Sequence, residues 1–297
     1  MNYELRYEQL ALTIDKEHDG MPLMDFLKEL RISPKRRQEL FEHHAILLNR
    51  SDARSSDRLK SGDRLVFHLE SGAPDYQPAA EPCTVVYEDD FVFVAHKEPG
   101  IIVHDPDDPE CLASQAAAWM NEQGIQAPVR YIHRLDRETA GLVLFVKIPL
   151  LQGWFDAMLE QKKIERMYLA ITEGKGHAGQ NFTYNQNIGR DRHISGKYRF
   201  SPTGKEAITK VTILDRRHDD LLMRCHLLTG RTHQIRVHLS GNRHPIVNDP
   251  LYGVPSLRYK HMGLWADTLR FENPFTKEIC TARDIDNPDF AGFRTDR

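Results

Sequence analysis

The run Ala140 to Val146, Ala-Gly-Leu-Val-Leu-Phe-Val, holds no polar side chain. At seven residues it is far shorter than the roughly 20 needed to cross a bilayer. A stretch that is apolar at every position cannot leave one face in water, so it predicts a strand over residues 142–147 covered on both sides. That strand needs a sheet with layers above and below it. It is entered through a turn crowded with polar groups: His133, Arg134, Asp136, Arg137, Glu138 and Thr139. A buried strand fixes the position of groups at its mouth while the turn exposes them, which is where function is commonly mounted. Charges that only neutralise one another at a strand entry would give the same pattern.

The rest of the chain fits a sheet interrupted by helices. Strand-like runs fall at 84–87, 91–95, 167–172, 207–214 and 221–228, and helical stretches at 112–123 and 150–164. The expected class is α+β, with a mixed or largely antiparallel sheet. Before it, Leu23, Phe26, Leu27 and Leu30 recur at helical spacing, and Ser33-Pro34 caps and opens a second helix. Two short strands follow, at 45–49 and 65–69. Residues 71–82 contain three prolines and no period, which reads as a linker between a small unit over 12–70 and a larger one over 83–297.

A second polar stretch runs from Leu228 through Gly230-Arg231-Thr-His-Gln-Ile-Arg236-Val-His238 to Leu239. Ile235, His238 and Leu239 share a helical face, which turns Arg231 and Arg236 elsewhere after a start at Thr229-Gly230. Arginines near a helix start suit carboxylate or phosphate contact.

Net charge is −3 over 297 residues, which excludes a protein basic all over. The total conceals an uneven distribution. Residues 31–64 carry nine basic and five acidic side chains, residues 75–130 two and eleven, and residues 190–236 eleven and five. Two basic segments flanking an acidic one point to a polyanion held along local surfaces. Cys83, Cys111, Cys225 and Cys280 form no C-x-x-C pair, so they read as reduced, buried thiols of a cytoplasmic protein. The fifteen histidines lack metal-ligand spacing, since His233 and His238 are five apart, and no metal or other cofactor is expected. No membrane partner is expected either.

Two resemblances give these patterns a chemistry. Residues 12–70 resemble an S4-type RNA-binding domain through the helix pair, Leu48-Asn49 and Leu59-Lys60-Ser61-Gly62-Asp63, with His44 and Arg50 where glycine is usual. That likeness implies RNA contact through Lys35, Arg36, Arg37, Arg50 and Lys60. Residues 84–276 resemble the RluA family of RNA pseudouridine synthases. The motif His-Arg-Leu-Asp-x-x-Thr-Ser-Gly corresponds to His133–Gly141, Gly-Arg-Thr-His-Gln-Ile-Arg-Val-His to Gly230–His238, and His-Pro-Ile-x-x-Asp-x-x-Tyr-Gly to His244–Gly253. Ala140, Asn248 and Trp265 depart from the usual Ser, Gly and His. The resemblance implies the synthase fold and isomerisation of a uridine in ribosomal or transfer RNA, without DNA as a partner. In it Asp136 is the catalytic aspartate, Arg236 its ion-pair partner and Tyr168 the active-site tyrosine. Arg134 occupies the gap left by the extruded base, and His133, Thr139 and Arg231 line the substrate site. A binding factor that kept the fold without its chemistry is the alternative, and it has no need of Asp136, Tyr168 and Arg236 together.

Overall fold

The computed structural model describes residues 1–6, 8–69, 72 and 75–293. In the N-terminal unit, β1 (Asn2–Arg6), β2 (Gln9–Thr13), α1 (Leu23–Glu29), α2 (Pro34–Glu42), β3 (Ile46–Leu48), β4 (Ser51–Asp52) and β5 (Arg64–His68) build a sheet in the order β1-β2-β5-β3-β4. All its pairs are antiparallel. The hairpin of β1 and β2 lies largely before residue 12, and β2 pairs on with β5. The signal was present as Tyr3 and Leu5 alternating with polar neighbours. Ser33 caps α2 by accepting from the Arg36 N–H at 3.3 Å, with Pro34 in its first turn. His44 (φ 53°) and Arg50 (φ 73°) both adopt the left-handed backbone that glycine would serve there.

The larger unit contains β6 (Val85–Glu88), β7 (Val92–Lys97), α3 (Leu112–Glu122), β8 (Arg130–Tyr131), β9 (Ala140–Val146), α4 (Gln152–Glu160), β10 (Glu165–Glu173), β11 (Asn181–Tyr184), β12 (Ile188–Arg190), β13 (Tyr198–Phe200), β14 (Thr209–Arg217), β15 (Asp220–Leu227), α5 (Gln234–Gly241), β16 (Leu264–Glu272) and β17 (Ile279–Arg283). Ten of these strands form one sheet whose main path is β11-β14-β15-β10-β16-β9-β7-β6. Every pairing in it is antiparallel except β9 with β16. Two antiparallel halves therefore meet at one parallel seam, where Gly141 (φ 114°) sits against Ala266 so closely that a Cβ would lie 2.3 Å from the Ala266 carbonyl oxygen.

The strand β9 is buried at all seven positions. Leu142, Leu144 and Val146 face one core, together with Val92, Phe155, Leu269 and Phe271, and Val143 and Phe145 face the other, with α3. The first of these cores is continuous with the interior of the N-terminal unit, through Leu10, Phe26, Leu65 and Phe67. Tyr3 packs edge-on against Phe91 at 4.7 Å between ring centroids, and Gly153 in α4 lies under the Arg31 carbonyl. Residues 75–83 are also tied down: Asp75 accepts from the Val129 N–H (2.9 Å) and Arg130 (2.6 Å), and the Ala79 N–H bonds the Ser114 carbonyl. Part of the proposed linker, residues 71, 73 and 74, lies outside the described residues. No helix among the described residues is long and apolar enough to cross a membrane.

Candidate active site

The turn that feeds β9 reaches a cavity of about 490 Å³. Its walls include His133, Arg134, Asp136 and Thr139 from the turn, Arg166 and Tyr168 from β10, and residues 230–236 ahead of and inside α5. Burial and hydrogen bonding shape the turn. Lys97 is fully buried and its ammonium donates to the carbonyls of Glu98, Ile101 and Arg137 at 2.8, 2.8 and 2.9 Å, which ties the 98–101 loop to the residue after Asp136. The Gly100 N–H adds a bond to the Arg137 carbonyl, and the Thr139 N–H closes the turn on the Asp136 carbonyl.

Asp136 is one hundred residues from Arg236 in sequence and 3.0 Å from its Nη1 in space. The other side of the same guanidinium is held by Asp249, Nε to Oδ2 at 2.7 Å and Nη2 to Oδ1 at 2.8 Å. Burial opposes the charge on Arg236, but the hydrogen bonds and charge of Asp249, aided by Asp136, raise its pKa above the ordinary value. The cation is permanent, and its Nη1 holds the Asp136 side chain at the cavity wall. Tyr252 covers it, with the guanidinium carbon 5.1 Å from the ring centre.

His233, at the entrance to α5, has left-handed backbone (φ 55°) and brings Nε2 to 3.8 Å from the Asp136 carboxylate. The helix starts at Gln234, later than the Thr229-Gly230 start expected from spacing. The reason is that Gln234 turns its side chain back on the preceding loop, accepting from the Arg231 N–H (3.0 Å) and Thr229 (2.7 Å). Arg231 is therefore a loop residue at the mouth, with its Nε on the Glu206 carbonyl.

Tyr168 is 5% exposed and its hydroxyl pKa is raised, chiefly by burial. His133 is buried, and desolvation with the nearby positive charge of Arg166 pushes it down to about 3, so the ring is neutral. Its Nε2 accepts from the Leu144 N–H at 3.4 Å. Thr139 is buried behind the turn, and Arg134 stands exposed at the rim.

Of the residues singled out from sequence, Asp136, Tyr168, Arg236, Arg134, Arg231, His133 and Thr139 converge on one cavity. Lys35, Arg36, Arg37, Arg50 and Lys60 do not line it; they lie on the N-terminal unit, where Arg36 meets Glu39 at 3.2 Å and Arg37 donates to the Ile32 carbonyl. Sequence reasoning missed Arg166, His233, Asp249 and Tyr252 as parts of the site. The first carried no motif signal of its own, and the other three lay inside quoted motifs without an assigned role. Among the described residues no group of three or more His, Cys, Asp or Glu side chains could hold a metal ion, and all four cysteines are free.

The Asp136–Arg236 pair and the buried Tyr168 thus face one cavity beside the junction of the two antiparallel halves. A family model described as RNA pseudouridylate synthase matches residues 91–241. The uncharacterized RNA pseudouridine synthase YhcT of Bacillus subtilis is 34% identical over 279 residues, spanning 92% of this chain and 92% of its own. The ribosomal large subunit pseudouridine synthase D of Xanthomonas campestris is 30% identical, spanning 83% of this chain and 79% of its own. Among solved structures, human RNA pseudouridylate synthase domain containing 1 has the same fold, with a TM-score of 0.56 at 23% identity over 71% of this chain and 86% of that one. The chain belongs to the RNA pseudouridine synthase family, and is an isomerase that forms pseudouridine in RNA.

Proposed function

We propose that this synthase converts a uridine of ribosomal RNA to pseudouridine in the cytoplasm, with Asp136 as the group that acts on the sugar carbon C1′. The observation that carries this reading is the Asp136–Arg236 contact at 3.0 Å beside Tyr168, inside a cavity of base-and-sugar size. A carboxylate can offer an electron pair to C1′ as the bond to uracil N1 breaks, and the Arg236 guanidinium holds that carboxylate in place. Uracil then rejoins the sugar through C5. The proton lost from C5 equals the one gained at N1, so the isomerisation consumes nothing and calls for no cofactor. Tyr168 supplies a ring against which the base can stack.

The uridine must leave its stack to reach the cavity, at a cost of a few kcal/mol. Arg134, exposed at the rim, is the side chain that fills the gap. Arg231 at the mouth, with the exposed Arg190, Arg192 and Arg199 of the β12–β13 hairpin, offers cations to the flanking phosphates. His133 and Thr139 support the turn from behind. The N-terminal unit acts as an S4-like RNA-binding domain through Lys35, Arg36, Arg37, Arg50 and Lys60. The ribosomal assignment is supported by the likeness to the ribosomal large subunit pseudouridine synthase D of Xanthomonas campestris.

Asp136→Asn is expected to bind RNA as the parent does and to form no pseudouridine. Pseudouridine formed at the parental rate by that variant would refute the assignment. Mapping pseudouridine in RNA from cells with and without the protein identifies the target, and a missing position in transfer RNA alone would overturn the ribosomal reading.

A further inference from the structure

Arg166 stands two residues before Tyr168 on β10, on the face that lines the cavity. Its guanidinium rests on the backbone of Gly230, where an added Cβ would come within 3.0 Å of Nη1 and 3.3 Å of Nη2. Its Nε is buried without a hydrogen-bond partner, and among the described residues the side chain has no ion pair. Arg236, by contrast, has a carboxylate on each side.

The other charges of the cavity are accounted for. Asp136 is matched by Arg236, and Arg236 by Asp249 as well. His133 is neutral, and burial holds His233 below its ordinary value. Arg134 and Arg231 are exposed at the mouth, where water solvates them. Arg166, half-buried in the cavity wall, is left without a counter-ion among the described residues. A guanidinium partly shielded from water, with its Nε unpaired, is placed to meet an anion that forms in the cavity.

The substrate base is neutral, and its phosphates belong to the strand outside the cavity. The reaction itself creates an anion. When the C1′–N1 bond breaks, its electron pair leaves with uracil, and the negative charge spreads over N1, O2 and O4. We propose that Arg166 is a catalytic residue that stabilises this departing uracil anion and holds it while the ring turns to present C5. The assignment rests on the reading that Asp136 acts at C1′. An interaction present with the anion and weak with the neutral base lowers the barrier rather than tightening binding. A planar guanidinium suits the task, because its fork of N–H donors can hold either carbonyl edge of the base as it turns.

The test compares Arg166→Met, Arg166→Lys and Gly230→Val in single-turnover assays, with RNA affinity measured separately. Gly230→Val leaves the arginine in the chain but takes its seat. For Arg166→Met the rate is expected to fall about 10²–10³-fold, the usual effect of losing one preorganised charge-stabilising donor, with RNA affinity within about twofold. Arg166→Lys recovers part of the rate, and Gly230→Val loses rate without affinity.

A purely structural role is separated by the leaving group. In RNA carrying 5-fluorouridine at the target the base is more acidic and departs more readily. The Arg166→Met deficit in glycosidic cleavage, followed by the ¹⁹F signal, is then smaller than with uridine. An equal deficit on both bases overturns the inference. So does an affinity loss that tracks the rate loss and flattens the salt dependence, which would mark Arg166 as a phosphate contact. Asp136→Asn runs alongside. If it is inactive while Arg166→Met keeps the parental rate, only the Arg166 assignment fails; if Asp136→Asn is itself fully active, the reading beneath it fails.

Discussion

Asp249 is the perturbation that most directly tests how the site is held together. Its side chain is fully buried against the Arg236 guanidinium, whose own side chain is 4% exposed, and its Oδ1 also accepts from the N–H groups of Leu251 and Tyr252 at 2.9 and 3.1 Å. In Asp249→Ala the cation keeps only Asp136, which is more exposed, and two backbone donors lose their acceptor. Breaking one side of a buried ion pair costs about 3–5 kcal/mol, because the remaining charge stays buried. For a chain of this length, unfolding entropy near 2.1 cal/mol/K per residue amounts to about 0.6 kcal/mol/K, so the melting temperature should fall by about 5–8 °C. Asp249→Asn keeps an oxygen for the backbone donors and the shape of the side chain, so it should lose less. Thermal unfolding followed by circular dichroism reads the first effect. Both variants should also lose rate, since Arg236 no longer has a fixed seat from which to meet Asp136. A melting temperature for Asp249→Ala within about 1 °C of the parent would refute the claim that this pair anchors the site.

Gly141→Ala places a Cβ 2.3 Å from the Ala266 carbonyl at a φ of 114°, and backbone strain with overpacking at the parallel seam should cost about 2–6 kcal/mol in urea unfolding; a loss below about 0.5 kcal/mol would count against the seam as described. Burial lowers Lys97 from 10.5 to about 7, so between those values the unfolded chain binds more protons than the folded one and stability rises with pH. That single group contributes at most about 1.4 kcal/mol per pH unit, and Lys97→Met should lack the slope; parallel curves for parent and variant from pH 7 to 10 would exclude it. Reversing Lys35, Arg50 and Lys60 together to glutamate should weaken RNA binding most at low salt and flatten its salt dependence. Each lost phosphate contact changes the slope by about 0.7–0.9, and unchanged binding at all salt concentrations would show that this face does not meet RNA. Point reversals suit this question better than removal of residues 1–72, because the shared core would leave Val92, Phe155 and Phe271 uncovered.

Local pattern carried much of the fold. The apolar run at 140–146 could only be a covered strand, and Ser33-Pro34 could only open a helix with ease. The motifs brought six site residues to notice before any distance was known, and the family resemblance added Tyr168. The departures from glycine were absorbed by local means: Asn248 keeps a left-handed backbone (φ 56°), and its amide donates to the carbonyls of Tyr259 and His261. Elsewhere local reading fell short. The helix expected from Thr229 begins at Gln234, because a side chain five residues on from Thr229 captures the loop, and no propensity records that.

What the chain determined by itself was therefore its layered sheet, its two basic stretches and the identity of the groups available for chemistry, all of which depend on residues close in sequence. The tertiary structure alone decided which charges are matched. Arg166 and Arg236 are the same residue type in equally polar surroundings by sequence, yet one lies between two carboxylates and the other rests on Gly230 with none. Electrostatic energy in a buried cavity depends on separations of a few ångströms between groups up to a hundred residues apart, and only the packing of β9, β10 and α5 sets those separations.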